Sequence, residues 1–323
     1  MNVLFLWPGL TGYMGDAWRA LATRVRLKVL VDGRGLGVNF DERTLDGLDW
    51  ERVTADDVVA KVAAFSPDAL AVVGWRRPLA RLVACSPALA KVPKLLVMDM
   101  PWRRSFRCFA ARFALRRYVR RFAGALVHGE SSARYARWLG FPDAAVHRHA
   151  IFGLDLARFE GGRSARPRRG FLFVGRHVPE KGLDTLRAAD DRYRRQGGTW
   201  PLDVPDWIDP VDVPRAMRAH ACLVLPSRWE PWGVVVAEAK AAGMKVIVSD
   251  RVGARLDLPC DGVFPAGDAA ALAERMLAVE QSGLSPDESR QAAAAVRPWG
   301  RDSWADRIVK IVSDISSGGG ASG

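Results

Sequence analysis

The stretch best equipped for chemistry is Pro226-Ser227-Arg228-Trp229-Glu230-Pro231-Trp232-Gly233, continuing through Glu238 to Gly243. A short apolar strand ends at Pro226, and a loop then carries Glu230. Pro231-Trp232-Gly233 opens a helix that carries Glu238. Gly233 lets a ligand approach the backbone closely, and the N–H groups of the first helical turn can donate to a ligand oxygen. The spacing puts the two carboxylates on the order of 10 Å apart, depending on the loop path, which suits opposite ends of one extended ligand and not a close acid/base pair. A second cluster lies upstream in Phe173-Val174-Gly175-Arg176-His177-Val178-Pro179-Glu180-Lys181-Gly182. Gly175 permits backbone approach to phosphates, and Arg176 and Lys181 add positive charge. Taken alone, these ten residues fit a surface Arg and Lys at a helix start better. A third candidate is the loop Pro8 to Gly15, where Gly12 and its neighbours follow the first strand; ordinary turn chemistry explains it about as well.

The elements that must position these residues repeat one pattern. Apolar runs of strand length are expected at 3–7, 27–31, 69–73, 94–98 and 125–128. Helical patterns at 16–24, 55–65, 79–89, 103–122 and 132–139 lie between them. Residues 161–169, rich in Gly and Arg, read as a linker. Strands at 170–175, 221–225, 245–248 and 262–264 follow, with helices at 211–219, 234–242, 269–281, 287–296 and 303–313. Near-continuous apolar strands separated by helices imply parallel sheets covered on both faces. The expected class is α/β, with two Rossmann-like parallel-sheet domains facing a central cleft. The first spans 1–160. The second spans 170–300, a helix at 301–315 returns to the first domain, and a flexible tail occupies 316–323. Ligands bind outside the carboxyl ends of strands in such sheets.

Composition narrows the class. The chain has 323 residues, 49% apolar and 26% charged, which suits a soluble protein of two domains. No apolar run reaches the roughly 20 residues of a membrane span. The N-terminus lacks a basic start and meets Pro8 too early for a signal peptide. Cys85, Cys108, Cys222 and Cys260 show no close pairing, which argues against a zinc site and a disulfide framework and fits a cytoplasmic location. The net charge of +12 suggests an anionic partner, although only 8 of the 48 basic residues are lysine and a GC-rich genome gives the same bias.

The string around Glu230 and Glu238 resembles the Glu-x7-Glu motif of retaining glycosyltransferases of the GT-B fold, family 4. The Gly175-Arg176…Lys181-Gly182 element is similar to that family's strand-Gly-Arg…Lys-Gly. The resemblance implies that Glu230 contacts donor-sugar hydroxyls and Glu238 the nucleotide ribose. It implies that Trp232 and Gly233 offer backbone donors to the sugar. Arg176 and Lys181 would neutralise the pyrophosphate as the glycosidic bond breaks, a fixed charge that can replace a divalent ion. No Asp-x-Asp triplet is present. The implied donor is a nucleotide-diphosphate-sugar and the acceptor a glycan or lipid-linked hydroxyl, with no metal or other cofactor. Weaker similarity covers Ile151 to Phe159, with Phe152 in place of an Asn, and Val248 to Asp268, where Asp268 would cap the next helix. The chain departs from the family between Lys181 and Glu230, where Gly197 to Asp203 replaces a clear strand and glycine turn near the nucleotide base. It also lacks the histidine many relatives place after the strand ending at Met98; His128 and His147 read as structural.

One basic segment remains. Residues 102–122 carry Arg103, Arg104, Arg107, Arg112, Arg116, Arg117, Arg120 and Arg121. Trp102, Phe106, Phe109, Phe113, Tyr118 and Phe122 would form one aromatic face. As a basic amphipathic helix this could lie on an anionic membrane at its cytoplasmic side, through Arg103, Arg104, Arg107, Arg116, Arg117 and Arg120. The plainer alternative buries the aromatics and leaves the arginines in water. No nucleic-acid motif accompanies the charge. The rival functions are a nucleotide-sugar epimerase of the same fold and a non-catalytic GT-B-like membrane or assembly partner.

Overall fold

The computed structural model describes residues 1–8, 12–32, 42–103, 105–160 and 167–317. Two compact units divide it. Unit 1 is Met1–Asp155 with the chain from Trp299 onward, and unit 2 is Leu156–Pro298.

Unit 1 contains β1 (Asn2–Trp7), α1 (Gly12–Ala22), β2 (Arg26–Asp32), β3 (Trp50–Val53), α2 (Val58–Phe65), β4 (Ala69–Val73), α3 (Pro78–Cys85) and β5 (Lys94–Met98). It continues with α4 (Phe106–Ala114), α5 (Arg116–Val119), β6 (Gly124–Val127), α6 (Glu130–Leu139) and β7 (Val146–His147). Among the described residues the strands form one parallel sheet, ordered β3-β2-β1-β4-β5-β6-β7. The central strands are buried on both faces, which is why Val3 to Leu6 and Leu95 to Met98 read as continuous apolar runs. Strand β3 has the sequence Trp-Glu-Arg-Val and sits on an edge. There Glu51 is free to pair with Lys28 and Lys61, at 3.1 and 2.9 Å.

Unit 2 contains β8 (Phe171–Leu172), α7 (Leu183–Arg195), β9 (Leu202–Asp203), α8 (Val213–Ala219), β10 (Cys222–Leu225), α9 (Val234–Ala241), β11 (Lys245–Ser249), β12 (Gly262–Phe264), α10 (Ala269–Ser282) and α11 (Pro286–Ala295). Its parallel sheet is ordered β12-β11-β10-β8-β9. The chain adds β9 on one side of β8 and then β10 on the other, so the loops leaving β8 and β10 flank a topological switch point. Asp268 caps α10, accepting from the N–H groups of Ala270 and Ala271 at 3.0 and 2.9 Å.

After unit 2, α12 (Arg301–Ser317) packs on α1 within unit 1. Trp304 is fully buried 6.1 Å from Phe5, and Arg24 pairs with Asp302 and Asp306. The outgoing and returning strands of chain lie side by side, with Leu154 N donating to Trp299 O and Arg301 N to Leu154 O. Gly153 permits this, because a Cβ there would sit 2.6 Å from the Arg301 Cα. The helix continues through Ser316 and Ser317, where the sequence suggested the start of a loose tail; residues 318–323 of that tail lie outside the described residues.

The segment expected as one helix over 103–122 is broken at Leu115 into α4 and α5. Its aromatics do not share a face. Cys108, Ala111, Leu115, Tyr118 and Phe122 follow a helical spacing and turn inward. Phe106, Phe109 and Phe113 fall on another face and are exposed. A short strand, β9, does form in the stretch where the sequence showed no clear one; it is two residues long and pairs with β8.

Candidate functional site

The loops after β8 and β10 interlock. Gly182 has φ +68°, and a Cβ there would meet the Pro226 carbonyl oxygen at 2.3 Å. Arg228 N and Trp229 N both donate to Glu180 O, at 2.8 and 3.3 Å. The Arg228 guanidinium pairs with Asp184 in the first turn of α7. These contacts bring Lys181, at the end of a 3-10 turn, against Glu230: the ammonium donates to the Glu230 Oε2. Both side chains are mostly covered, at 18% and 14% exposure. Ser227 Oγ also reaches Glu230 Oε2, at 3.5 Å.

The loop after β11 forms the other support. Glu230 N donates to Arg251 O, Gly253 N to Glu230 O, and Ala254 N to Trp232 O. A Cβ at Gly253 would lie 2.1 Å from the Pro231 carbonyl oxygen, so this backbone crossing needs glycine. Buried Ser249 donates its hydroxyl to Ser227 O. Trp232 is itself buried, with its indole Nε1 donating to Asp257 Oδ2 at 2.9 Å. Its side chain therefore anchors the loop. Gly233, at φ +98°, starts α9; a Cβ there would press on the Glu230 Cγ at 3.1 Å.

Helix α9 holds Glu238 and is pinned at both sides. Lys240 Nζ pairs with Asp261 at 2.8 Å, and the same carboxylate oxygen accepts from Val246 N on β11. Arg168 donates to the carbonyls of Ala242 and Gly243 at the end of α9, and to Ser289 Oγ. Lone-pair acceptors at a helix end are thus capped by a cation from a segment that read as linker; residues 161–166 of that linker lie outside the described residues. Glu238 is partly exposed and makes no hydrogen bond or ion pair through its carboxyl group among the described residues. Desolvation pushes that carboxyl up to about 7, with the charge of Arg158 pulling weakly the other way. Arg158 itself is steadied by Pro210 O, at 2.9 Å.

The candidates fall into three groups. Lys181, Glu230, Trp232 and Gly233 come together around one loop, and Gly175 lies beside them: its added Cβ would be 3.8 Å from the Lys181 Cε. Arg176 is exposed on the same loop as Lys181 without an ion pair among the described residues, and Glu238 stands on the following helix. Gly12 belongs to unit 1, where it opens α1; residues 9–11 of its loop lie outside the described residues. Of the arginines singled out on the basic segment, Arg103, Arg107, Arg116, Arg117 and Arg120 are exposed, and Arg104 lies outside the described residues. His128 is buried against Phe152, ring centroids 5.0 Å apart, and burial pushes it down to about 3, so it is neutral at pH 7. Sequence reasoning missed the supporting role of Gly182 and Gly253, and the charge that Arg158 sets near Glu238. The available signal was the glycines themselves: Gly182 closes its motif, and Gly253 falls within the Val248 to Asp268 segment.

Residues 201–296 match the family model of glycosyl transferases group 1. The phosphatidyl-myo-inositol mannosyltransferase of Mycobacterium leprae (strain TN) is 28% identical over 184 residues, 47% of this chain and 49% of that protein. The chain therefore spans about half the length of this curated relative. Among solved structures, Anabaena Alr3699/HepE in complex with UDP superposes with TM-score 0.74 at 16% identity, covering 97% of this chain and 100% of that one. A glycosyltransferase from Rickettsia africae ESF-5 gives TM-score 0.75 at 10% identity, covering 97% and 98%. The fold is the two-unit Rossmann-like fold of GT-B glycosyltransferases, and its unit 2 carries the sequence pattern of glycosyl transferases group 1.

Proposed function

We propose that the chain is a retaining, metal-independent glycosyltransferase that moves a sugar from a nucleotide-diphosphate-sugar to a hydroxyl acceptor. The observation that carries this reading is the Lys181–Glu230 pair, fixed by interlocked loops at the switch point of the unit 2 sheet. A cation and a carboxylate side by side match the two halves of such a donor, a diphosphate and a polyhydroxyl ring. On binding, Lys181 turns its charge to the diphosphate beside Arg176, and Glu230 accepts from sugar hydroxyls. Glu238, short of partners and desolvated, accepts from the ribose diol.

In the reaction the bond between the anomeric carbon and the diphosphate oxygen breaks, and the acceptor oxygen bonds to that carbon on the same face. The acceptor proton passes to the departing phosphate oxygen. Negative charge grows on the diphosphate, and Arg176 and Lys181 stabilise it without reorganising, which takes the place of a divalent ion. The UDP and UDP-glucose complexes of Alr3699/HepE support a nucleotide-sugar as the donor class. The test is incubation with a donor sugar and candidate acceptors in EDTA, followed by NMR of the products. Transfer with the donor's anomeric configuration and release of nucleoside diphosphate is expected. An epimerised sugar without a glycosylated acceptor would replace this reading with an epimerase.

A further inference from the structure

The outward face of α4 has no role in the proposed reaction, and its composition is unusual. Phe106, Phe109 and Phe113 project into solvent at 84%, 52% and 67% exposure. Their spacing of three and four residues places them on one face, opposite the inward stripe of Cys108, Ala111 and Leu115. The patch continues sideways. Phe109 lies 6.0 Å from Phe113 and 5.4 Å from Trp138 on α6, and Trp138 is 4.7 Å from Trp102. Between α4 and α6 is a hollow of about 620 Å³, lined by Trp102, Arg112, Arg134, Arg137 and Trp138.

Positive charge predominates around this patch. From Met100 to Gly129 the sequence has eight arginines and neither Asp nor Glu. Arg107, Arg112, Arg116 and Arg117 are exposed on α4 and α5. Arg112 lies over the Trp138 ring at 5.2 Å, whereas Arg134 and Arg137 engage Glu130. Burying three phenylalanines in water-free surroundings is favourable, and a contiguous exposed apolar patch marks an interaction surface.

We propose that this face of unit 1 docks on an anionic lipid bilayer: Phe106, Phe109 and Phe113 enter the acyl boundary, the arginines stay at headgroup level, and a lipid phosphate seats beside Arg112 in the hollow. Two features select a bilayer over a protein partner. Exposed arginines alternate with the phenylalanines along α4, where a protein interface needs a closely packed complementary core with few charges at its centre. The arginine stems can lie along the apolar layer while their heads remain in water. Each arginine near an anionic surface contributes about a five-fold gain in partitioning.

Co-sedimentation of the full chain tests this, with vesicles of phosphatidylcholine alone and with phosphatidylglycerol added, at low and high salt. Wild type is expected on the anionic vesicles, with binding weakened by salt. Phe106→Ser/Phe109→Ser/Phe113→Ser should lose on the order of a hundred-fold in partitioning. Its thermal unfolding should match wild type, because these side chains are exposed. Arg112→Ala should weaken binding to the anionic vesicles and not to the neutral ones. Three outcomes overturn the proposal: no binding to either vesicle, equal binding to both, or binding that the triple variant retains. Wild-type self-association abolished by the triple variant, without vesicle binding, would make the face an interface between proteins.

Discussion

Lys181 in unit 2 and Arg112 in unit 1 are both cations at candidate binding surfaces, and the chain handles them in opposite ways. Lys181 faces a carboxylate on a loop that three backbone crossings hold in place. Arg112 rests on an indole ring, on a helix with no carboxylate of its own. A charge held by a counter-charge in rigid loops can be handed to one small ligand with defined geometry. A mainly basic rim around exposed aromatics does not specify a single ligand, and it fits an extended anionic surface. Rigidity marks the first region and exposure the second, so substitutions should separate them.

The largest effect should come from the first region. On the proposed mechanism Lys181→Ala takes away charge stabilisation of the leaving diphosphate, and it leaves Glu230 without its cation, so transfer should fall by about 10²–10³-fold. Steady-state rates on wild type and variant check this. Next is the backbone frame. Gly253→Ala forces a Cβ to within 2.1 Å of the Pro231 carbonyl, whereas the same change at Gly47, where φ is +78°, meets no neighbour. Overpacking should cost Gly253→Ala about 3 kcal/mol and Gly47→Ala about 1 kcal/mol, read by chemical denaturation.

A smaller, pH-dependent effect belongs to Glu238. Its carboxyl titrates near 7 when folded and near 4.5 when unfolded, so the folded state binds the proton more tightly. Stability should therefore fall as pH rises from about 4.5 to about 7 and then level off. Glu238→Gln removes that slope: its melting temperature relative to wild type should rise between pH 5 and pH 8. A constant difference would show that Glu238 is not desolvated. The smallest effect is expected at α4, where Phe106→Ser, Phe109→Ser and Phe113→Ser, made singly, should each change stability by less than about 0.5 kcal/mol. Equilibrium unfolding, beside Phe171→Ser in the buried β8, gives the contrast.

Much of this was legible in the sequence, for physical reasons. Strands buried on both faces, such as Cys222 to Leu225, are apolar without interruption and announce themselves. Edge strands do not: β3 is half charged, and β7 and β9 are two residues long. Helix α7 was also overlooked, because its buried stripe is only Thr185, Leu186, Ala189 and Tyr193 on an otherwise charged segment. The candidate residues stand out by their motif, but the Lys181–Glu230 pairing does not, because it spans 49 residues of sequence. The basic segment misled in one respect. Its aromatics looked like one face, and only the helical register, with the break at Leu115, shows that half turn inward.

The most direct measurement is thermal unfolding with UDP-, GDP- and ADP-sugars in EDTA, on wild type, Lys181→Ala and Glu238→Ala. One nucleotide class at a hundred times its Kd should stabilise wild type by about 2.7 kcal/mol, with the effect lost in both variants. Stabilisation by no donor, or stabilisation that survives both substitutions, would contradict a donor site built on Lys181, Glu230 and Glu238.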